Sequence, residues 1–95
     1  MFLPDLLKGK RILITGGGTG LGKSMAGRFL GLGADVIICG RREEVLQEAV
    51  ADLEKAAPGR ISCRPLDIRD PAAVEAALDA LWADGPLDAL VNNAA

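Results

Sequence analysis

The chain has 95 residues, of which 49% are hydrophobic and only 3% aromatic. It contains no histidine and no tyrosine, which excludes a Ser-His-Asp triad, a histidine-ligated metal site and a phenolic general acid within these residues. Eleven basic and thirteen acidic residues give a net charge of −2, which argues against a nucleic-acid-binding module. The length allows one small domain, and we expect it to bind a ligand rather than to carry out a complete reaction.

Short apolar runs alternate with segments of helical periodicity along the chain. Strands are predicted at residues 11–15, 35–39, 60–66 and 87–91, because short β-branched runs suit a parallel sheet buried on both faces. Helices are predicted from Leu21 until Gly33, over residues 43–56, and from Asp70-Pro71 until Gly85. The order β-α-β-α-β-α-β with short links implies right-handed crossovers and a parallel sheet.

Two apolar stripes indicate which helix faces are buried. Leu21, Met25, Phe29 and Leu32 lie at helical spacing in the first helix, so we expect this face to pack on the sheet. Trp82 lies on the apolar face of the third helix, and we interpret it as a packing residue rather than a ligand platform.

The two cysteines and the apolar runs bear on the cellular compartment. Cys39 and Cys63 lie in apolar runs without a CxxC spacing, which predicts buried free thiols rather than a zinc or redox site. No run approaches the ~18 apolar residues of a membrane span, and the first residues do not resemble a signal peptide. We therefore expect a cytoplasmic protein that binds no metal, no membrane and no nucleic acid.

Residues 15–24, TGGGTGLGKS, follow a predicted strand and begin a helix, which is the setting in which a glycine motif binds phosphate. Taken from Gly17 to Ser24, the segment matches a P-loop, in which Lys23 would reach the phosphates and Ser24 would hold Mg²⁺. A glycine-rich turn without a ligand is the structural alternative.

The same segment also matches a dinucleotide-binding loop that runs from Thr15 to Gly22. In that interpretation Gly16 makes the turn and Gly20 lets the backbone approach a pyrophosphate. Gly22 permits close packing of helix on strand, and the helix N-terminus faces the negative charge.

Residues after the other strands favour the dinucleotide interpretation. A P-loop protein needs an acid after another apolar strand to hold Mg²⁺, and Asp67, after a poor strand, is the single candidate. A dinucleotide site needs a ribose-reading group about 20 residues past the loop, where Arg41 and Arg42 stand. Arginine suits the 2′-phosphate of NADP through its charge and forked hydrogen bonds, although two exposed arginines at a helix start remain the alternative.

Motifs therefore stand at all four predicted strand ends: TGGGTGLG, Arg41, Asp67-Ile68 and Asn92-Asn93-Ala94. Together they resemble the short-chain dehydrogenase/reductase family over essentially the whole chain. The resemblance implies an α/β fold, a Rossmann-type doubly wound parallel sheet with strand order 3-2-1-4 that is incomplete here. Residues 1–95 would be the N-terminal part of a single NADP-binding domain. The family's catalytic Tyr-x-x-x-Lys pair would lie beyond them, so these residues alone would be inactive.

The resemblance implies that the glycine loop holds the pyrophosphate of the cofactor. Gly16, Gly20, Leu21 and Gly22 would line it, and the predicted site also includes Gly18 and Thr19. Thr15 would tie this loop to the Asn-Asn-Ala segment. Many NADP-using members carry a basic residue where Thr19 stands, so a preference for NADP over NAD depends on the two arginines after the second strand.

The resemblance also implies contacts for the adenosine half of the cofactor. Arg41, together with Arg42, would hold the 2′-phosphate and flank the adenine. Asp67 would accept a hydrogen bond from the adenine amino group, with Ile68 against the ring. The Asn93-Ala94 segment would pass along the adenosine ribose.

The loop GGGTGLGKS and the ending Asn-Asn-Ala-Ala, in which Ala95 replaces the family's common glycine, resemble members that reduce 2,4-dienoyl-CoA and trans-2-enoyl-CoA. The implied activity is hydride transfer from NADPH to a small-molecule substrate, an acyl-CoA, by a homo-oligomer, a tetramer or dimer. A non-catalytic nucleotide-binding module and a P-loop ATP-binding protein are the alternatives.

Overall fold

The computed structural model describes residues 5–93. In chain order it contains β1 (Arg11–Thr15), α1 (Gly20–Gly31), β2 (Asp35–Gly40), α2 (Glu43–Glu54), β3 (Ile61–Pro65), α3 (Pro71–Ala83) and β4 (Ala89–Asn92). The predicted alternation of strands and helices is confirmed, and the boundaries shift only slightly. No helix within the described residues is long and apolar enough to cross a membrane.

The four strands form one parallel sheet in the order β3-β2-β1-β4, which confirms the predicted topology. Leu13 in β1 is paired with Ile37 of β2 on one side and with Leu90 of β4 on the other. The chain leaves β1 towards β2 but returns on the opposite side of β1 to form β4. The strand order therefore reverses at β1, and ligands of doubly wound sheets bind at the carboxyl edge of such a reversal.

The helices cover both faces of the sheet. Helices α1 and α2 pack on one face, in a core that includes Ile12, Ile14, Val36, Ile38, Leu30 and Leu46. Helix α3 packs on the other face, against Leu13, Ile37 and Cys39 through Leu81. Successive residues of β1 and β2 thus point into two buried layers, which explains why these strands are apolar without alternation.

The buried face of α1 differs from the predicted stripe. Gly22, Ala26 and Leu30 are buried, whereas Leu21 is 67% exposed and the other three residues of the predicted stripe are only half-buried. Met25 and Phe29 do pack against the core as predicted, and the prediction was wrong for Leu21. The helix approaches β1 most closely through its small residues, which lets its backbone lie close to the sheet.

Trp82 is a second correction. Its side chain is 55% exposed, while Ala77 and Leu81 are the buried residues of α3. Successive residues of an α-helix point about 100° apart, and the helix is oriented so that Leu81 lies against the sheet while Trp82 points outwards. The predicted packing of Trp82 is therefore not found within residues 5–93.

Charged side chains fix several helix ends. Asp70 caps α3 as predicted, since its Oδ1 accepts hydrogen bonds from the N–H groups of Ala72 and Ala73 at 3.1 and 3.2 Å. At the other end of α3, the Arg11 guanidinium donates to two carbonyls at 2.6 Å. The Arg60 guanidinium likewise donates to two backbone carbonyls at the end of α1, both at 3.0 Å. These contacts satisfy terminal carbonyls and place positive charge at the negative end of the helix dipole.

Candidate functional site

The loop between β1 and α1 turns at two glycines. Gly16 has φ +68° and Gly20 has φ +55°, values in the left-handed region that residues with a side chain rarely adopt. The space beside Gly20 is open, so a ligand can reach the loop backbone there.

Gly22 lies directly against the carbonyl group of Gly16. A Cβ atom at Gly22 would overlap that carbonyl oxygen and would lie 2.8 Å from the side-chain nitrogen of Asn93. The first turn of α1 therefore packs on the loop more closely than any residue with a side chain would allow. This packing fixes the N-terminus of α1 at the carboxyl edge of the sheet.

The N-terminus of α1 has no side-chain cap among the described residues. Thr19 is the N-cap residue but makes no capping hydrogen bond, and the first turn carries no acid. By contrast, α3 is capped by Asp70, and α2 has Glu43 and Glu44 in its first turn. The first N–H groups of α1 and the positive end of its dipole therefore favour an anionic ligand.

Lys23 is bound to α2 rather than to the loop. Its Nζ lies 2.7 Å from Oδ2 of Asp52, and this hydrogen bond holds the pKa of Asp52 below its usual value. A P-loop needs the lysine at this position on the phosphates. The geometry of Lys23 therefore disfavours the P-loop interpretation.

The hydroxyl group of Thr15 joins the end of β1 to the end of β4. It accepts a hydrogen bond from the N–H of Asn93 at 3.0 Å and lies 3.0 Å from Oδ1 of Asn92, to which it can donate. The Asn93 side chain in turn donates to the Gly16 carbonyl at 3.4 Å. Asn93 is thereby held beside the glycine loop, whereas Ala94 lies outside the described residues.

A cavity of about 430 Å³ opens at the carboxyl edge of the sheet, between the glycine loop and the segments that follow β2 and β3. Its volume is in the range of small-molecule sites. Seven of the predicted site residues line it: Gly16, Gly18, Thr19, Arg41, Arg42, Asp67 and Ile68. The other described members of the predicted site lie at the end of β1, in the first turn of α1 and after β4: Thr15, Gly20, Leu21, Gly22 and Asn93.

The cavity has an apolar floor and a charged rim. Val45, Leu46 and Leu66 contribute the apolar part. Arg41 and Arg42 are exposed on the rim. Arg42 lies 3.6 Å from Glu44, whereas Arg41 forms no ion pair with any residue that the structure describes.

Asp67 is held by a residue that the sequence analysis missed. Arg69 donates to Oδ1 of Asp67 from its backbone N–H at 2.9 Å and from Nε at 3.1 Å, and its Nη2 donates to Oδ2 at 3.1 Å. The side-chain hydrogen bonds from Arg69, followed by the backbone one, lower the pKa of Asp67 to about 2. The signal in the sequence was the Asp-x-Arg spacing after β3.

Neither cysteine is part of this charged rim. Cys39 lies under the cavity at the end of β2 and is buried, and this burial raises the pKa of its thiol to about 11. Cys63 is only half-buried, on the opposite face of the sheet, and both thiols are free. Within residues 5–93 no group of three or more His, Cys, Asp or Glu residues could hold a metal ion.

Comparisons with known proteins agree with this architecture. A family model described as short chain dehydrogenase matches residues 10–95. The chain is 44% identical over 90 residues to a short chain dehydrogenase/reductase of Macrophomina phaseolina, which covers 94% of this chain and 51% of that protein. It is also 44% identical over 93 residues to a probable 2,4-dienoyl-CoA reductase of Caenorhabditis elegans, over 93% of this chain and 29% of that protein.

A solved structure is similar to this chain in both fold and sequence. The L-sorbose reductase from Gluconobacter frateurii, complexed with NADPH and L-sorbose, matches 98% of this chain and 36% of its own chain, with a TM-score of 0.88 and 30% identity. The chain thus spans about half the length of the first of these three proteins and about a third of the other two.

Proposed function

This chain belongs to the short-chain dehydrogenase family, and we propose that it binds a nicotinamide dinucleotide, NADP in preference to NAD, at the carboxyl edge of its sheet. One observation carries the proposal. An uncapped helix N-terminus and two exposed arginines border one cavity at the carboxyl edge of the sheet, on the β2–β3 side of β1, the strand at which the order reverses. A helix N-terminus suits a pyrophosphate, and arginines suit a further phosphate.

The glycine loop fits the pyrophosphate. Gly20 leaves open space beside its backbone, which a bulkier residue would fill. The exposed Leu21 follows it, and its N–H belongs to the first helical turn, where N–H groups have no partner within the helix. In this proposal Gly16, Gly18 and Thr19 complete the loop around the phosphates, and Gly22 sets the position of the helix.

Arg41 is the residue that would distinguish NADP from NAD. It borders the cavity and forms no ion pair among the described residues, so its guanidinium is available to a 2′-phosphate. Arg42 would support it. An acid at the end of β2 would instead bind the ribose hydroxyls of NAD, and neither of these two positions carries one.

Asp67 and Ile68 would hold the adenine. The Asp67 carboxylate has acceptor capacity left on Oδ2, which receives one hydrogen bond from Arg69 whereas Oδ1 receives two, and the adenine amino group can donate to it. Ile68 is 39% exposed and offers an apolar surface to the ring. Asn93, held beside the loop by Thr15, would follow the ribose, and Ala94 would continue that contact.

We further propose that the whole protein transfers hydride from NADPH to an enoyl- or dienoyl-CoA, as a homo-oligomer. The bound cofactor supplies the hydride. Support comes from the relative described as a probable 2,4-dienoyl-CoA reductase. Residues 1–95 contain no tyrosine, so in this proposal they form the cofactor-binding N-terminal part of one domain and leave the phenolic acid to other residues.

Isothermal titration calorimetry tests the proposal directly. The purified protein is titrated with NADP⁺, with NAD⁺, and with ATP in the presence and absence of Mg²⁺. We expect NADP⁺ to bind most tightly and ATP binding to be independent of Mg²⁺. Tightest binding of ATP that depends on Mg²⁺ would support a P-loop instead, and no binding of either dinucleotide would refute the proposed function.

A further inference from the structure

Among residues 5–93, the Asp67 carboxylate is the single acidic group that lines the cavity, together with three arginines. Two of these, Arg41 and Arg42, precede α2, and the third, Arg69, follows Asp67 in the loop before α3. How Asp67 is partnered therefore affects the charge that the other arginines present to a ligand.

Arg69 occupies most of the hydrogen-bonding capacity of Asp67. Its guanidinium spans both carboxylate oxygens at 3.1 Å, and its backbone N–H adds a third bond at 2.9 Å. A carboxylate has about four acceptor sites, so this arrangement fixes the orientation of Asp67 and leaves one acceptor site for a ligand.

Arg41 lies close enough to Asp67 for its charge to act on the Asp67 carboxylate. Its positive charge contributes, after that of Arg69, to stabilising ionised Asp67. Arg41 and Asp67 also border a second cavity on the β3 side of the sheet, so the two side chains share their surroundings. Without Arg69, Asp67 would be an unpaired anion beside the same cavities, able to attract the Arg41 guanidinium away from a ligand.

We propose that Arg69 is a positioning residue for NADP preference: by neutralising and orienting Asp67, it leaves Arg41 available to the 2′-phosphate. This proposal rests on the proposed function, because it assumes that NADP binds in this cavity. It assigns Arg69 no contact with the cofactor.

The solvent exposure of Arg69 and Asp67 determines how much the loss of their interaction should change NADP⁺ affinity. The side chains of Arg69 and Asp67 are 71% and 39% exposed, so water and salt screen their interaction. We therefore expect removal of the Arg69 charge to weaken NADP⁺ binding by about 2- to 5-fold, as for an exposed ionic interaction. The effect should decrease as the salt concentration rises.

A double-mutant cycle tests this role. The dissociation constants of NADP⁺ and NAD⁺ are measured for the purified wild-type protein and for Arg69→Met, Asp67→Asn and the double variant, with thermal unfolding recorded for each. Arg69→Met should weaken NADP⁺ binding more than NAD⁺ binding. In the Asp67→Asn background the same change should leave the ratio of NADP⁺ affinity to NAD⁺ affinity unaltered, because the competing carboxylate is gone. Arg28→Met, on the exposed face of α1, controls for loss of one positive charge.

The outcomes separate the two proposals. If the wild-type protein prefers NADP⁺ but Arg69→Met leaves the ratio unchanged, or lowers both affinities equally, Arg69 has no role in the preference and the proposed function stands. A ratio that falls equally in both backgrounds would mean that Arg69 acts independently of Asp67, which also overturns the inference. If the wild-type protein binds neither dinucleotide, the proposed function fails and this inference fails with it.

Discussion

The Thr15 hydroxyl accepts a hydrogen bond from the backbone N–H of Asn93 at 3.0 Å, across 78 positions of sequence. This contact joins the carboxyl ends of β1 and β4, which flank the point where the strand order reverses. Because Asn93 also contacts the carbonyl of Gly16, the segment after β4 and the glycine loop form one connected unit.

Replacement of Thr15 by valine should loosen this unit. Thr15 is 8% exposed, and loss of its hydroxyl leaves the part-buried N–H of Asn93 without this acceptor, at a cost of about 0.5–1.5 kcal/mol in the free energy of unfolding. Thr15→Ser keeps the hydroxyl and should retain most of the stability. Chemical denaturation of both variants measures the difference. A larger loss in Thr15→Ser, which lacks the methyl group, than in Thr15→Val, which lacks the hydroxyl, would contradict the role given to the hydroxyl.

A methyl group at Gly22 should displace α1. It would overlap the Gly16 carbonyl oxygen, which is backbone and cannot move aside as a flexible side chain would. We expect Gly22→Ala to destabilise the protein by about 1–3 kcal/mol or more and to weaken dinucleotide binding. Gly31→Ala is the matched control, since a Cβ there meets nothing within 4 Å, and it should leave stability unchanged or raise it by up to about 1 kcal/mol. Two variants of similar stability would contradict the close packing described for Gly22.

Cys39 should make stability depend on alkaline pH. Burial raises the pKa of its thiol from 9.0 to about 11 in the folded protein, so the unfolded chain loses the proton first as the pH rises. The thiol's contribution is therefore complete below pH 9 and decreases through pH 11, by about 2 kcal/mol at pH 11.

Denaturation of the wild-type protein and of Cys39→Ala between pH 8 and pH 11 isolates this contribution, because the lysines titrate in both. The difference in unfolding free energy between the two proteins should shrink as the pH rises. A difference that stays constant would mean that Cys39 titrates normally in the folded state.

Local patterns predicted the fold well. The β-branched runs gave the strands, and the Asp70-Pro71 pair marked the start of α3 because capping involves residues that are close in sequence. The pattern of large apolar residues failed at Leu21 and Trp82, which are exposed. Which side of a helix faces a sheet depends on how closely the backbones approach, and Gly22 determines that approach through a contact that periodicity does not record.

The candidate site was only partly predictable for a similar reason. Motifs after each strand pointed to one edge of the sheet, because parallel strands end on the same side. The pairing of Asp67 with Arg69 and of Lys23 with Asp52 depends on side-chain conformations that residue types alone do not determine. The second of these pairs links α1 with α2 and disfavours the P-loop interpretation.

The most direct test of NADP preference is the change Arg41→Asp, with NADP⁺ and NAD⁺ dissociation constants measured by calorimetry on the purified protein. An acid at this position would repel the 2′-phosphate and could accept hydrogen bonds from the ribose hydroxyls of NAD. We predict that NADP⁺ binding weakens by about 10- to 100-fold, the equivalent of about 1.5–3 kcal/mol, while NAD⁺ binding is unchanged or improved. Arg28→Asp, remote from the cavity, should alter neither constant. Equal weakening of both dinucleotides by Arg41→Asp, or no change in either, would contradict the role assigned to Arg41.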